Sequence, residues 1–379
     1  MSSNGRIRIV IAGGGTGGHV LPAIAVHEEL NRRQEAFEFL WIGSEGGVER
    51  TEAARAGIPF CSIQTGKLRR YFDLKTVTDA GRLPIGTAQA FRRLRAFRPD
   101  VVFSTGGFVS VPTVVAARPI APVVTHEQTA IIGLANRINA RFASLLAVSY
   151  DSTARSFAQQ HRNIVVTGNP VRTGLRGGDA PAARQEFGFP ADLPVIYITG
   201  GARGASAINE RVFAILPTLV ENACVVHQTG SRDANPDYDR ALAARAGLPA
   251  ELQARYAPRE FIGPELAGVY AMASLVIGRA GAGTIAELAF VGLPSILIPL
   301  PQSGGGEQDR NAAVLAVAEA ATVIPQSSAT PERLHQEITQ LLDRPQHLAG
   351  MAANARAVCH ENAAATLAEL IVEHARRKR

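Results

Sequence analysis

The chain has 379 residues and a formal net charge of +6 at pH 7, and this length leaves room for two domains of ordinary size. The three cysteines are far apart and show neither metal-ligand nor redox spacing, which indicates reduced thiols in a cytosolic protein. The first residues lack the apolar core of a signal peptide, and no run of about 18 uncharged apolar residues can span a bilayer. We therefore expect any membrane contact to be peripheral.

The positive charge is compatible with a nucleic acid, an anionic membrane or a phosphorylated substrate as partner. It gathers in residues 67–72, 91–98 and 376–379, and for each segment taken singly a solvated surface is the favoured explanation. The chain lacks the basic, aromatic-interleaved pattern typical of RNA-binding modules. We therefore expect no nucleic acid partner.

The first predicted element is a strand that breaks into a glycine-rich loop and then a helix. The spacing Gly13-x-Gly15-x-x-Gly18 follows an apolar β-branched run and fits a dinucleotide-binding fingerprint. Main-chain N–H groups at such a helix start favour phosphate. The fingerprint requires an acid about 20 residues further on, and Glu45 supplies one only loosely. A tight turn that binds nothing is the alternative.

The rest of the first half alternates apolar runs with helical segments, which predicts a largely parallel sheet. Strands are predicted at 37–43, 60–64, 100–105, 122–125, 145–148 and 164–166, and helices at 47–56 and 91–98. A second glycine loop, Gly106-Gly107, follows one of these strands at the edge where open α/β sheets bind ligands.

The alternation stops near residues 168–181, where we place a domain linker, and a second strand, glycine loop and helix begin at Val195. Strands are then predicted at 224–230, 260–262, 275–277 and 295–300, and helices at 265–273 and from residues 309, 331 and 347. Asp237-x-Asp239 is interpreted as a helix start and not as a metal site. Two Rossmann-like halves facing across a cleft are expected.

Seven motifs in a fixed order carry a family resemblance over nearly the whole chain. They are Gly13-Gly14-Gly15-Thr16-Gly17-Gly18-His19-Val20, Gly106-Gly107-x-Val109-Ser110, His126-Glu127-Gln128, Gly168-Asn169-Pro170-Val171-Arg172, Gly200-Gly201-x-x-Gly204-Ala205, His227-Gln228-Thr229-Gly230 and Gly281-Ala282-x-Thr284-x-x-Glu287. In this combination the chain resembles the family 28 glycosyltransferases of peptidoglycan synthesis.

The resemblance implies a GT-B fold of the α/β class, with two Rossmann-like domains facing across a cleft. It implies an acceptor-binding and membrane-facing domain at 1–172, a UDP-sugar-binding domain at 173–350, and a C-terminal helix at 351–379 returning to the first domain. The implied reaction is inverting transfer of N-acetylglucosamine from UDP-N-acetylglucosamine to the 4-hydroxyl of undecaprenyl-diphosphoryl-N-acetylmuramoyl-pentapeptide, lipid I, giving lipid II. No metal or other cofactor is implied.

The same resemblance implies a peripheral enzyme at the cytoplasmic face of the cell membrane, with roles in cell-wall biogenesis, cell shape and cell division. For the membrane contact we expect apolar side chains flanked by basic ones. The candidates are Leu68, Tyr71 and Phe72, with Lys67, Arg69 and Arg70 beside them. Internal packing of these side chains is the alternative.

Site residues follow from matching these motifs. His19, at a helix start, is the candidate catalytic base for the acceptor hydroxyl. The acceptor side is expected to include Gly15, Gly107, His126, Glu127 and Thr129. The residues implied to bind UDP-N-acetylglucosamine are Thr16, Gly17, Gly18, Arg172, Gly201, Ala202, Ile262, Gly281, Gly283, Thr284, Glu287 and Gln308.

Specific donor roles are implied for some of these residues. Glu287 would hold the ribose hydroxyls, because one carboxylate can accept from both. The main chain at Ile262 would recognise uracil, and Gln308 would contact the sugar. Arg172 would lie near the nucleotide, and the loops at 201 and 281 near the diphosphate, where helix N-terminal amides stabilise negative charge without a metal.

Three of these assignments have structural alternatives. Thr284-x-x-Glu287 also fits a capping box, in which Glu287 only satisfies a backbone donor. His19 can instead be a structural histidine that holds the loop. His126 and Glu127 can brace the site without touching substrate.

The chain also departs from the family pattern. Ala202 and Arg203 replace the usual serine and glutamine, Thr129 replaces asparagine, and Glu307 precedes Gln308 where histidine or glutamine is common. These departures favour an alternative, a related GT-B transferase with another UDP-sugar or lipid acceptor. Two further functions are compatible with the same motifs: a UDP-sugar epimerase, and a non-catalytic protein that binds a nucleotide sugar or a lipid carrier.

Overall fold

The structure, a computed structural model, describes residues 6–66 and 74–378. It divides into two compact units. Unit 1 extends to Arg172 and includes the segment from His360 onwards, whereas unit 2 is Thr173–Cys359. The expected membrane segment at 67–72 lies outside the described residues.

Unit 1 alternates strands and helices, as its apolar runs predict. Its strands are β1 (Ile7–Gly13), β2 (Phe37–Gly43), β3 (Phe60–Ser62), β4 (Val101–Gly106), β5 (Val123–Glu127), β6 (Leu145–Val148) and β7 (Ile164–Val166). Its helices before the linker are α1 (Gly17–Asn31), α2 (Val48–Arg55), α3 (Leu74–Phe97), α4 (Val111–Ala117), α5 (Leu134–Ala140) and α6 (Asp151–Phe157).

The strands of unit 2 are β8 (Val195–Thr199), β9 (Cys224–Gln228), β10 (Tyr256–Arg259), β11 (Leu275–Gly278), β12 (Ser295–Leu297) and β13 (Ala321–Val323). Its helices are α7 (Ala180–Phe187), α8 (Ser206–Asn222), α9 (Asp237–Ala246), α10 (Ala250–Gln253), α11 (Leu266–Met272), α12 (Ala282–Val291), α13 (Glu307–Val317), α14 (Pro331–Leu342) and α15 (Pro345–Ala357). The last helix, α16 (Ala363–Lys378), belongs to unit 1. Short 3-10 helices occur at Thr173–Arg176, Ser303–Gly305 and Gln326–Ser328.

Each unit contains one parallel sheet. Among the described residues, the strand order is β3-β2-β1-β4-β5-β6-β7 in unit 1 and β10-β9-β8-β11-β12-β13 in unit 2. Strands buried on both faces explain the continuous apolar runs of the sequence. In unit 1, Leu367, Ile371 and Val372 of α16 join the core that Ile9, Ile11 and neighbouring residues of β1 and α1 form.

Three differences from the sequence predictions have physical causes. The strand expected at 260–262 lies earlier, at β10, where Pro258 can be accommodated because β10 is at the edge of the sheet. The helix expected from residue 309 begins at Glu307, directly after Gly306 with φ of 86°. The helical end of the chain is split, since α15 ends at Ala357 and α16 begins at Ala363.

Helix α9 begins at Asp237, which confirms the interpretation of that acidic pair as a helix start. Between residues 6 and 66 and from 74 to 378, no helix is both long and apolar enough to cross a membrane.

Candidate functional site

The strand order reverses direction once in each sheet, between β1 and β4 in unit 1 and between β8 and β11 in unit 2. At such a point the loops that follow the two strands run to opposite faces, leaving a crevice at the carboxyl edge where α/β proteins bind ligands. Glycine-rich loops follow all four strands. Each sheet therefore has a candidate ligand site of its own.

The first glycine loop is held by a buried acid. The carboxylate of Glu49, on α2, accepts hydrogen bonds from the main-chain N–H of Gly15 at 3.0 Å and of Ser44 at 2.9 Å, and from the Ser44 hydroxyl. A Cβ at Gly14 would lie 2.3 Å from the Glu49 carboxyl carbon, so the loop needs glycine there. The acid that follows β2 thus binds the loop itself, and it is Glu49, not Glu45.

His19 lies in the first turn of α1, whose N-cap is Thr16. Its Nδ1 donates to the Thr105 carbonyl at 2.9 Å and lies 3.2 Å from Oε1 of Gln128. A carbonyl oxygen can only accept, so the neutral imidazole carries its proton on Nδ1. Its Nε2 is therefore a proton acceptor, as a general base requires.

His126 and Gln128 support this histidine from β5 and the residue just after it. The His126 Nε2 donates to the Gly168 carbonyl at 2.9 Å, and Gln128 Nε2 donates to the Thr105 carbonyl at 2.7 Å and lies 3.3 Å from His126 Nδ1. Both side chains are almost fully buried. The pKa of His126 is lowered to about 4, chiefly by burial; the nearby His19 also lowers it, and the hydrogen bond to Gly168 partly opposes both effects.

Glu127 points into the loop between β5 and α5. Its two oxygens accept from the main-chain N–H and hydroxyl of Thr129, from the Gly133 N–H and from the Asn136 amide, at 2.8 to 3.1 Å. The side chain is 2% exposed. Four donors on a buried carboxylate fix the loop, which favours the bracing alternative for Glu127.

The second sheet has an open loop at β8. Gly201 has φ of 78° and Gly204 has φ of 72°, and a Cβ at Gly204 would lie 1.9 Å from the Thr229 carbonyl oxygen. A Cβ at Gly201, by contrast, would meet no described atom within 4 Å apart from its chain neighbours. Ala202 and Arg203 are exposed at this loop. The N-terminal N–H groups of α8, which have no partner within the helix, follow directly.

Gln228 organises the segment after β10. Its Oε1 accepts from the main-chain N–H of Ile262 at 3.0 Å and from the Tyr197 hydroxyl at 3.2 Å. Because the Ile262 N–H is bonded to Gln228, the carbonyl of Ile262 is the main-chain group of this residue that can bind a ligand. The neighbouring Phe261 is 49% exposed, and an exposed ring beside a main-chain acceptor suits a planar base.

Helix α12 begins at Ala282 and its N-cap is Gly281, so Thr284 is already inside the helix. The capping-box alternative for Thr284 and Glu287 is therefore wrong. Glu287 instead accepts from the Tyr270 hydroxyl at 2.8 Å through Oε2. The Tyr270 ring stacks edge-on against Tyr197 at 5.8 Å, which links the Glu287 carboxylate to the Gln228 cluster.

Gln308 spans two loops of the same sheet. Its Oε1 accepts from the main-chain N–H groups of Ala280 at 3.2 Å and Leu300 at 2.9 Å. Because the amide oxygen faces two donors, the NH2 group is oriented away from them and remains a donor for a hydroxyl. The side chain is partly exposed.

The predicted residues fall into two groups. Unit 1 contains those at the ends of β1, β4 and β5, namely Gly15, Thr16, Gly17, Gly18, His19, Gly107, His126, Glu127 and Thr129, and also Arg172. Unit 2 contains Gly201, Ala202, Ile262, Gly281, Gly283, Thr284, Glu287 and Gln308.

Arg172 lies close enough to Glu28 for its charge to lower the pKa of that carboxyl, although burial has the larger effect and raises the pKa. In the described part of the chain, no three His, Cys, Asp or Glu side chains are grouped to hold a metal.

Four residues with evident roles were not predicted as site residues: Glu49, Gln128, Gln228 and Tyr270. Gln128 and Gln228 stand inside the motifs His126-Glu127-Gln128 and His227-Gln228-Thr229-Gly230, so a search for amides within these motifs would have found them. Glu49 and Tyr270 lie in ordinary helical sequence, and only the fold brings them to the loops.

Comparisons with known proteins agree with this architecture. Residues 9–148 match the glycosyltransferase family 28 N-terminal domain, and residues 195–371 match the family 28 C-terminal domain. A Treponema pallidum protein named UDP-N-acetylglucosamine–N-acetylmuramyl-(pentapeptide) pyrophosphoryl-undecaprenol N-acetylglucosamine transferase is 38% identical, over 88% of this chain and 86% of its own. A Listeria monocytogenes protein of the same name is 34% identical, over 97% and 99%. The crystal structure of Acinetobacter baumannii MurG has a TM-score of 0.72 and 30% identity, over 97% and 99%.

Two parallel-sheet Rossmann-like units, each with glycine loops at its switch point, define the GT-B class of glycosyltransferases, and the expected fold class is confirmed. With both domains matched and relatives spanning nearly the full chain, the protein belongs to glycosyltransferase family 28.

Proposed function

We propose that this glycosyltransferase moves N-acetylglucosamine from UDP-N-acetylglucosamine to the 4-hydroxyl of lipid I, with inversion, and so forms lipid II in peptidoglycan synthesis. The names of its relatives support this substrate pair. The observation that carries the chemistry is the 2.9 Å contact between His19 Nδ1 and the Thr105 carbonyl oxygen, because a carbonyl can only accept and so requires the proton of His19 on Nδ1.

In the proposed reaction the acceptor's 4-hydroxyl oxygen attacks the anomeric carbon of the donor sugar. His19 Nε2 takes the hydroxyl proton as the new C–O bond forms. The bond from the anomeric carbon to the diphosphate oxygen breaks, its electron pair leaves with UDP, and the configuration inverts. Helix N-terminal amides then stabilise the diphosphate charge.

We assign donor binding to unit 2. The Glu287 carboxylate, held by Tyr270, is suited to accept from both ribose hydroxyls. The Ile262 carbonyl and the exposed Phe261 ring are suited to uracil, and the NH2 group of Gln308, which faces away from the two main-chain donors, is suited to a sugar hydroxyl. Gly201 and Gly283 leave open space for a diphosphate next to the N-termini of α8 and α12.

We assign acceptor binding to unit 1, at the glycine loops that contain Gly15 and Gly107. A Cβ at Gly107 would lie 2.4 Å from the Gly14 carbonyl oxygen and 3.1 Å from the His19 ring, so glycine allows the two loops to approach each other beside His19. His126, Glu127 and Thr129 are buried and hydrogen-bonded within the unit. Their proposed role is to hold the acceptor site in shape without touching substrate.

We further propose peripheral binding to the cytoplasmic face of the membrane through unit 1. An apolar groove of about 980 Å³ runs between α3 and α4, lined by side chains that include Leu83, Phe91 and Val115. Ile85 on α3 is 49% exposed, and Arg92 lies at the groove. Apolar surface with adjacent basic charge suits an anionic lipid surface.

The test is a transfer assay with radiolabelled UDP-N-acetylglucosamine and a soluble lipid I analogue, run in a chelator beside a panel of other UDP-sugars. We expect labelled disaccharide product with this donor preferred. UDP release only with another donor or acceptor would move the function to a related transferase. Release of an altered monosaccharide without acceptor would indicate an epimerase, and UDP binding without turnover would indicate a binding protein.

A further inference from the structure

A continuous hydrogen-bonded chain runs from the main chain at Gly168 to the proposed base. It passes from the Gly168 carbonyl through His126 and Gln128 to His19, over bonds of 2.9, 3.3 and 3.2 Å. His126 is 0% and Gln128 1% exposed, so water does not compete for these groups. Of these residues, the proposed reaction assigns a role in proton transfer to His19 alone.

The direction of every bond in this chain follows from its first acceptor. The Gly168 carbonyl can only accept, so His126 donates from Nε2 and its Nδ1 must accept. Nδ1 can accept only from the NH2 group of Gln128, and this places the Gln128 amide oxygen towards His19. His19 must then donate from Nδ1, which leaves Nε2 unprotonated.

We propose that Gln128, oriented by His126, is a positioning residue for His19, and that its amide oxygen shares the Nδ1 proton with the Thr105 carbonyl. The inference rests on the proposed function through the role of His19 as base. Gln128 acts twice, since its NH2 group also donates to the Thr105 carbonyl at 2.7 Å and fixes that second acceptor.

The arrangement serves proton transfer for a clear reason. When Nε2 takes the acceptor proton, the ring becomes positive and the hydrogen bonds from Nδ1–H become charge-assisted, hence stronger. Two fixed acceptors therefore stabilise the imidazolium as it forms, as a carboxylate does in hydrolase triads. Burial keeps His126 neutral, with its pKa lowered to about 4, so its Nδ1 remains an acceptor at neutral pH.

The first measurement reads the tautomer directly, by nitrogen-15 NMR of histidine-labelled protein, with the His19 signals assigned by their loss in His19→Gln. Wild type should show the Nδ1–H form, and Gln128→Met should increase the Nε2–H form. A wild-type Nε2–H form would overturn the proposal even if the methionine variant does not fold. No substrate is needed, so this result is independent of whether lipid I is the acceptor.

The second measurement is steady-state transfer. Gln128→Met should lower kcat by about tenfold to a hundredfold, a part of the rate that a positioned general base contributes, while the KM for the donor changes less than about twofold. Gln128→Glu keeps an acceptor oxygen for His19 but loses the NH2 donors to His126 and to the Thr105 carbonyl, so it should restore only a small part of the loss. The matched control is Asn139→Leu, because Asn139 is an equally buried amide that donates to Ser110 at 2.8 Å and does not contact His19.

A kcat for Gln128→Met within about twofold of wild type, or a loss no larger than that of Asn139→Leu, would contradict a positioning role. Absence of transfer to the lipid I analogue by the wild-type protein would instead contradict the proposed function, and it would not affect the result of the tautomer measurement.

Discussion

The Glu49 carboxylate accepts a hydrogen bond from the main-chain N–H of Gly15 at 3.0 Å, so an acid on α2 holds the loop that leads into α1. Glu49 is 0% exposed and also binds the N–H and the hydroxyl of Ser44. The shape of the first glycine loop therefore depends on a side chain 34 residues away.

Replacing this acid should destabilise unit 1. Glu49→Ala leaves the partly buried N–H groups of Gly15 and Ser44 without their acceptor. The substitution should lower the free energy of unfolding by about 2 kcal/mol and should also lower transfer activity. Urea unfolding measures the change. Glu52→Ala on the same helix is the control, because the Glu52–Arg55 pair lies at the surface and contributes little. Equal stabilities of the two variants would contradict the bracing role.

Donor affinity should depend on Glu287 and, more weakly, on Tyr270. Glu287→Ala removes the proposed ribose acceptor and should weaken UDP binding by about tenfold or more, the value of one or two charge-assisted hydrogen bonds. Tyr270→Phe removes only the hydroxyl that holds the carboxylate and should cost less. Titration calorimetry with UDP measures both. Unchanged affinity in Glu287→Ala would place the ribose elsewhere.

The buried histidines predict acid sensitivity. Burial lowers the pKa of His126 to about 4 and that of His227 to about 3, whereas an unfolded histidine titrates near 6.5. Below about pH 6.5 the unfolded state therefore binds more protons than the folded state. The free energy of unfolding is thus unaffected by these histidines above that pH and decreases as the pH falls below it. At about pH 5, protonation linked to each histidine should have lowered the free energy of unfolding by about 2 kcal/mol.

Urea midpoints at about pH 7.5 and about pH 5 test this prediction. His227→Gln should flatten the pH dependence of unfolding of unit 2, although it also loses the bonds from His227 to Tyr256 and Asn209. His347→Gln, at an exposed position, is the matched control. Unfolding free energy that stays constant between these pH values would contradict the neutral, buried state of both histidines.

Membrane binding should depend on the apolar surface of α3. Ile85→Glu places a carboxylate at this surface and should reduce co-sedimentation with anionic vesicles, because a charge is costly to bring into the lipid interface. Val317→Glu is the matched control, since Val317 is 86% exposed but lies on α13 in unit 2. Equal losses in the two variants, or none, would remove α3 from the membrane contact.

Much of the fold was predictable because parallel sheets give continuous apolar runs and glycine loops mark the strand ends. The exceptions have local causes. Strand β10 was not predicted because it contains Pro258, and proline is found within strands mainly at the edge of a sheet, where β10 lies. Thr284 and Glu287 have capping-box spacing, but the N-cap of the helix is three residues before Thr284, at Gly281.

The candidate site was predictable only where chemistry and motif coincide. His19 and Glu287 stand in glycine-rich motifs, so their residue type and position indicated a role. Glu49 and Tyr270 act through contacts between elements distant in sequence, and no local pattern reports such contacts. The direction of the hydrogen bonds around Gln128 likewise depends on the Gly168 carbonyl, 40 residues further along the chain.

The most direct test of the central claim is the structure of the product formed from UDP-N-acetylglucosamine and a soluble lipid I analogue. NMR of the purified disaccharide identifies both the linked hydroxyl and the anomeric configuration. We predict N-acetylglucosamine in a β linkage to the 4-hydroxyl of the muramoyl sugar, because direct attack inverts the α-linked donor. An α linkage, attachment at another hydroxyl, or no disaccharide from active protein would contradict this account.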